Sequence, residues 1–175
     1  MKKWLSVISC IFIISIIYYQ MNYKTIEEAI EESNIPMDEI FYTTEMKGNT
    51  IIIYGDDNIL SAGLIEKNFF GYRWYGGAGS EEFNRNDSIL TKSITNLLPR
   101  RSSSLDDYVT IAMGVINDDE IEKLLVQYKN EESTDATILD TKRGRIWFSF
   151  SQTPINYDPD VTRIYKDGTK ISGWY

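Results

Sequence analysis

Apolar residues along this chain follow three patterns in turn. The first is an unbroken run. From Trp4 to Tyr23 the sequence WLSVISCIFIISIIYYQMNY carries no charge in 20 residues. As a helix rising about 1.5 Å per residue, such a run spans about 30 Å, the thickness of a bilayer's hydrocarbon core. Trp4 at one end and Tyr18, Tyr19 and Tyr23 at the other sit where aromatic belts meet headgroups. Lys2 and Lys3 precede the run, and Glu27, Glu28, Glu31 and Glu32 follow Lys24. That asymmetry predicts the N-terminus inside and the rest of the chain outside.

The second pattern is helical. Ile26, Ala29 and Ile30 recur at i, i+3 and i+4, and Thr25 with Glu28 reads as a capping box. Glu27 and Glu28 in the first turn suit the helix dipole, and Asn34 and Pro36 end this short amphipathic helix.

After Pro36 the period becomes that of strands. Phe41–Thr44, the turn cluster Lys47-Gly48-Asn49 and the β-branched Thr50–Tyr54 predict the first strands. Gly55-Asp56-Asp57-Asn58 is a turn. Ile59–Glu66 and Phe69–Tyr75 predict a hairpin around Lys67-Asn68, closed by Gly76-Gly77-Ala78-Gly79. Residues 80–107 read as a long connection with at most one helical turn. In Tyr108–Ile116, Val109, Ile111, Met113 and Val115 share one face and Tyr108, Thr110 and Ala112 the other. Over 120–130 the apolar spacing fits helix or strand. Strand is preferred because short turn-bounded segments surround it. A hairpin follows over Asp135–Asp140 and Arg145–Ser151. Another joins Val161–Tyr165 to Thr169–Tyr175 through Lys166-Asp167-Gly168, an Asp-Gly hairpin signal. The predicted fold is mainly β: an antiparallel sheet or sandwich of short hairpins with one short amphipathic helix, preceded by a transmembrane helix. Residues 1–23 form the anchor and 24–175 a single β-rich domain, large enough to bury a core without staples.

Composition narrows the chemistry. The chain has no histidine and one cysteine, which excludes a Ser-His-Asp triad, a Cys-His dyad, His-ligated metal and an internal disulfide framework. Net charge is −8, and without Lys2 and Lys3 there are 16 basic against 26 acidic residues. So acidic a domain repels phosphate backbones, so no nucleic-acid partner is expected.

Two other fates are open to the apolar run. A cleaved signal peptide, giving a secreted protein, wants small residues after the run, where Ile16, Ile17, Tyr18, Tyr19, Gln20 and Met21 are bulky. A lipoprotein is hinted at by Val7-Ile8-Ser9-Cys10, but cleavage before Cys10 leaves a greasy Ile11–Tyr19 at the new N-terminus.

Candidate sites are few. Tyr72, Trp74 and Tyr75 beside the Gly run are candidates for an aromatic ligand platform; Tyr72 and Trp74 also suit simple core packing, since they share a strand face. Asp158 and Asp160, around Pro159, are candidates for a hard cation. Without an EF-hand-type loop, and as ordinary turn residues, they make no metal site by themselves. Asn117-Asp118-Asp119-Glu120 has the same double reading. Ser102, Ser103 and Ser104 lack any nucleophile motif. No cofactor is expected.

The order of Lys2-Lys3, the apolar run, Glu-rich Thr25–Glu32, Phe69-Phe70-Gly71-Tyr72-Arg73-Trp74, Gly114–Ile121 and Tyr165–Gly168 resembles small uncharacterised exported or membrane-anchored proteins of Bacillus-like Gram-positive bacteria. The resemblance covers most of the chain and implies location alone. The expectation is a single-pass protein of the cell membrane, held through residues 4–23, with an extracytoplasmic, non-enzymatic domain that binds a protein or envelope partner. The alternative is a hydrolase using paired carboxylates on cell-wall glycan or peptide. A hollow with facing carboxylates beside Trp74 or Trp147 would favour that alternative.

Overall fold

The computed structural model describes residues 2–20, 22–56, 58–83, 88–99, 107–129, 131–151, 155 and 157–173. Among the described residues, two helices precede twelve strands. The apolar run forms α1 (Lys2–Gln20) and the amphipathic segment forms α2 (Ile26–Glu31). The strands are β1 (Glu39–Met46), β2 (Asn49–Gly55), β3 (Ile59–Asn68), β4 (Gly71–Glu82), β5 (Ser93–Leu97), β6 (Val109–Ile116), β7 (Ile121–Gln127), β8 (Thr134–Asp135), β9 (Thr137–Thr141), β10 (Gly144–Ser151), β11 (Asp160–Tyr165) and β12 (Lys170–Ser172). They pair antiparallel into three four-stranded sheets, ordered β1-β2-β3-β4, β5-β6-β10-β9 and β12-β11-β7-β8.

Strand alternation stacks these sheets in layers. One face of the first sheet presents Ile51, Ile53, Leu60, Ala62 and Leu64 to Val109, Ile111, Met113, Val115, Ile146 and Phe148 of the second. The other face of the second sheet presents Ala112, Ile116 and Trp147 to Leu124, Val126, Tyr128 and Val161 of the third. The middle sheet is therefore covered on both sides, which is why all eight residues of β6 are buried. The first sheet's outer face carries Ile52, Tyr54 and Ile65, and α2 covers it with Ile30. Each fully buried Ile or Leu stabilises the stack by roughly 1.5–3 kcal/mol.

The capping box holds α2 in place. Thr25 Oγ1 accepts from Glu28 N at 3.2 Å, and Glu28 Oε2 accepts from Lys24 N at 2.9 Å. Asn34, at φ 53°, stops the helix.

Several expectations change. The hairpin joining β3 and β4 does not turn at Lys67-Asn68, which stay in the ladder opposite Tyr72 and Gly71. It turns at Phe69-Phe70, because Asn68 Oδ1 accepts from Phe70 N at 2.8 Å and Gly71 takes φ 130°. The Gly76–Gly79 run does not close this half but lies inside β4, where the register shifts twice. The stretch 80–107 is no plain connection. It holds the end of β4 and all of β5, and Leu90 bridges Ile116. β5 escapes detection because its burial pattern in Ser93–Leu97 puts polar side chains on a mostly covered strand. Residues 120–130 contain the strand β7, as preferred. The last hairpin forms, but β12 covers only Lys170–Ser172 and Ile171 is 39% exposed; Trp174 and Tyr175 lie outside the described residues.

The apolar N-terminal run also needs correction at its end. The helix stops at Gln20, and Asn22 and Tyr23 belong to the hairpin edge: Asn68 Nδ2 donates to Asn22 Oδ1 at 2.7 Å, and Tyr23 and Tyr72 exchange backbone hydrogen bonds of 2.7 Å. The described large apolar side chains of α1, among them Trp4, Ile8, Ile11, Phe12 and Ile14, are exposed. Among the described residues, no helix is long and apolar enough to cross a membrane.

Candidate functional site

Between β10 and β11, the described residues Ile155, Tyr157 and Asp158 make polar contacts to both neighbouring sheets. Ile155 sits against the middle sheet, where its N–H reaches Thr110 Oγ1 at 3.3 Å and its carbonyl accepts from Asn96 Nδ2 at 2.7 Å. Thr110 Oγ1 in turn donates to Asn96 Oδ1. Two residues on, the Tyr157 hydroxyl accepts from Lys129 N at 2.7 Å, tying the segment to the end of β7. Asp158 is fixed by Lys92 on the approach to β5, Nζ to Oδ2 2.8 Å. One segment is thus stapled to both sheets that it crosses.

Two hollows flank it. The first, about 280 Å³, is lined by Gln127, Tyr128, Lys129, Tyr157, Asp158 and Asp160. The second, about 220 Å³, is lined by Ile94, Asn96, Ile155, Tyr157 and Asp158. Tyr157 and Asp158 form the ridge common to both. The Lys92 side chain is 10% exposed and that of Asp158 75%, so the ion pair has one covered and one wet partner. Such a pair contributes modestly to stability.

Tyr128 closes the floor of the first hollow. Its hydroxyl donates to Ser149 O at 3.0 Å. Burial pushes its pKa up to about 12; the hydrogen bonds to Ser149 and Ala112 oppose that, and the negative fields of Glu131 and Tyr157 add to it. The phenol is therefore a neutral hydrogen-bond donor at physiological pH, not a phenolate nucleophile. Tyr54 is pushed up the same way by burial, against its hydrogen bond to Ser61.

The two halves of the metal candidate, Asp158 and Asp160, come together here with Pro159 between them. The carboxylate of Asp158 is already engaged by Lys92. Among the described residues, no group of three or more Cys, Asp or Glu side chains is placed to hold an ion. The hollow is lined by acidic, basic, amide and phenol residues: Asp158 and Asp160, Lys129, Gln127, and Tyr128 and Tyr157.

The aromatic candidates do not join this site. Tyr72 and Trp74 pack beneath α2 with Ile52, Tyr54 and Ile65. Trp74 stands edge-on to Tyr54, centroids 5.7 Å apart. Its ring lies over Gly63 and Gly77: a Cβ at Gly63 would collide with it, and one at Gly77 would stand 2.8 Å from Cζ2. Those glycines make room for an indole of the chain's own, not for a ligand. Tyr72 carries Lys67 Nζ 5.6 Å from its centroid, and Tyr75 is 38% exposed on the same strand. Trp147 is fully buried, its Nε1 donating to Thr91 O at 3.0 Å, so it lines no cleft.

Asn117–Glu120 proves to be a turn. Asp118 Oδ1 accepts from Glu120 N at 2.9 Å, and Asn117 Nδ2 donates to Ser88 O at 2.7 Å. Ser102, Ser103 and Ser104 lie outside the described residues. Lys92, Asn96, Gln127 and Lys129 were not foreseen. They gather around Ile155, Tyr157 and Asp158 only through the stacking of two sheets, and no local spacing in the sequence marks them. Asp158-Pro159-Asp160 was the one legible signal.

Protein-family models, curated proteins and solved structures were all compared with the chain, and none matches it.

Proposed function

We propose that this protein is a membrane-anchored β module displayed on the outer side of the cell membrane, acting by binding a protein or envelope component rather than by catalysis. The observation that carries this reading is α1. Large apolar side chains stand exposed along it: Trp4 at 75%, Ile8 at 62%, Phe12 at 67% and Ile14 at 57%. A helix that is apolar all round belongs in an apolar medium. Discounting Lys2 and Lys3, the 19 residues of α1 leave 17 uncharged ones, Trp4–Gln20, shorter than an ordinary span of about 20. Local thinning of the bilayer accommodates so short a stretch. The charge asymmetry about the run and the resemblance in sequence order support the same location.

For the binding role, the support is the ridge of Tyr157 and Asp158 between two polar hollows. The hydrolase alternative gains nothing from Trp74 or Trp147, which serve as packing.

Fractionation tests the anchor. Membranes from cells making the full chain are washed with alkaline carbonate, and the expected result is retention in the pellet. Release into the wash would overturn the anchoring. A tagged chain solubilised from the same membranes should then capture a partner that Asp158→Lys fails to capture; equal capture by both chains would move the binding surface away from this ridge.

A further inference from the structure

The tip of the β3–β4 hairpin carries two adjacent aromatic side chains, one of them almost wholly exposed. Phe69 is 97% exposed and Phe70 is 37% exposed. They contact each other edge to face, centroids 5.5 Å apart and planes at 89°, so the pair forms one apolar knob. Turn geometry alone does not call for it. Asn68 Oδ1 and the positive φ of Gly71 shape the turn, and the two residues between them are free to be polar.

The place of this knob is set by the segment that leaves α1. Asn22, two residues after Gln20, accepts from Asn68 Nδ2 at 2.7 Å. Tyr23 bridges Tyr72 on the other strand of the same hairpin. A Cβ at position 71 would collide with the Tyr23 carbonyl, so the close approach requires glycine there. The chain emerging from the apolar helix is therefore fastened to both strands at the base of the tip, within two or three residues of the helix end.

We propose that Phe69-Phe70 is a second membrane contact: an aromatic knob seated in the interfacial layer of the bilayer that holds α1. The proposal rests on the anchoring of α1 and deepens it, since a single helix leaves a domain free to swivel and a second contact fixes its face towards the membrane. Aromatic side chains suit that layer. The neighbouring charges say which lipids matter. Lys24, Lys67 and Arg73 are offset by Glu27, Glu28 and Glu66 on the same segments, so the surface offers anionic headgroups no net attraction. Seating is apolar and is expected in purely zwitterionic lipid.

The test uses the full chain reconstituted in phosphatidylcholine vesicles. A nitroxide is placed at Phe69→Cys in a Cys10→Ser background, and in a second chain at Lys142→Cys, an exposed turn on the middle sheet. Collision with oxygen and with a water-soluble nickel chelate is read by electron paramagnetic resonance. The expected result is protection from nickel at position 69, at least fivefold relative to position 142, and unchanged in high salt. Equal nickel access at both positions would overturn the proposal. A label at Phe70→Cys repeats the reading should the first substitution disturb the tip. Carbonate extraction of the same vesicles tests α1 separately. A retained chain with an aqueous position 69 refutes the knob and leaves the anchor, whereas a released chain with a protected position 69 refutes the anchor and leaves the knob.

Discussion

Tyr128 shows how a single buried polar group ties stability to pH. Its pKa stands at about 12, against an ordinary value of 10, mainly because burial disfavours the phenolate. The folded state therefore holds the proton more tightly than the unfolded chain. The stability linked to this group is complete below about pH 10 and is lost as pH rises towards 12, by at most about 3 kcal/mol. Tyr54 contributes in the same direction. Urea midpoints measured from pH 8 to 12 should fall above pH 10, and Tyr128→Phe should flatten part of that fall while costing about 1 kcal/mol at neutral pH through the lost bond to Ser149. A Tyr128→Phe profile parallel to the parent would place the titration elsewhere. A second residue-scale prediction concerns Trp74. Gly63→Ala forces a methyl into its ring and should destabilise by roughly 1–3 kcal/mol. Combining it with Trp74→Leu should recover part of that loss, and additive losses in thermal melts would show that the ring is not the obstacle.

At the scale of elements, the last hairpin is the informative case. β12 is exposed throughout, so its side chains contribute little by burial. Its backbone matters more, because Arg163 is 4% exposed and its Nη2 donates to Gly173 O at 3.3 Å. Removing residues 169–175 strips the pairing from β11 and takes an acceptor from a buried cation. A loss of about 2–4 kcal/mol is expected, read as a lower melting temperature by circular dichroism. In an Arg163→Met background the same truncation should cost distinctly less. An equal cost in both backgrounds would assign the effect to strand pairing alone. The hairpins were legible where turn chemistry and alternation agree, as at Lys47-Gly48, where both residues take positive φ, and at Lys166-Asp167-Gly168, where Asp167 Oδ1 accepts from Thr169 N. In that turn the bond from Thr169 holds the Asp167 carboxyl below its usual range. Legibility failed at β5, where Ser93, Thr95 and Asn96 interrupt the apolar pattern and Asn96 Nδ2 donates across to Ile155 O. It also failed at the β3–β4 turn, where Asn68 reads as part of the turn but instead braces it. The site was legible only as Asp158 and Asp160, since its remaining members come from β-strand ends that meet in three dimensions.

The whole molecule places three stacked sheets behind a helix whose described large apolar side chains are exposed. Alternation in β6 marks Val109, Ile111, Met113 and Val115 as one face, but nothing in local sequence says that both faces are covered or which hairpin lies in which layer. That assignment comes from the packing of Trp147 on Leu124 and Val126, and of Phe148 on the opposite side. The proposed placement of this stack outside the membrane is the claim on which the binding role depends. Its most direct test is protease added to intact protoplasts that make the full chain tagged at the C-terminus. The account predicts rapid loss of the tag and of the β domain, with cytoplasmic markers intact. Full protection of the domain until the protoplasts are lysed would contradict it.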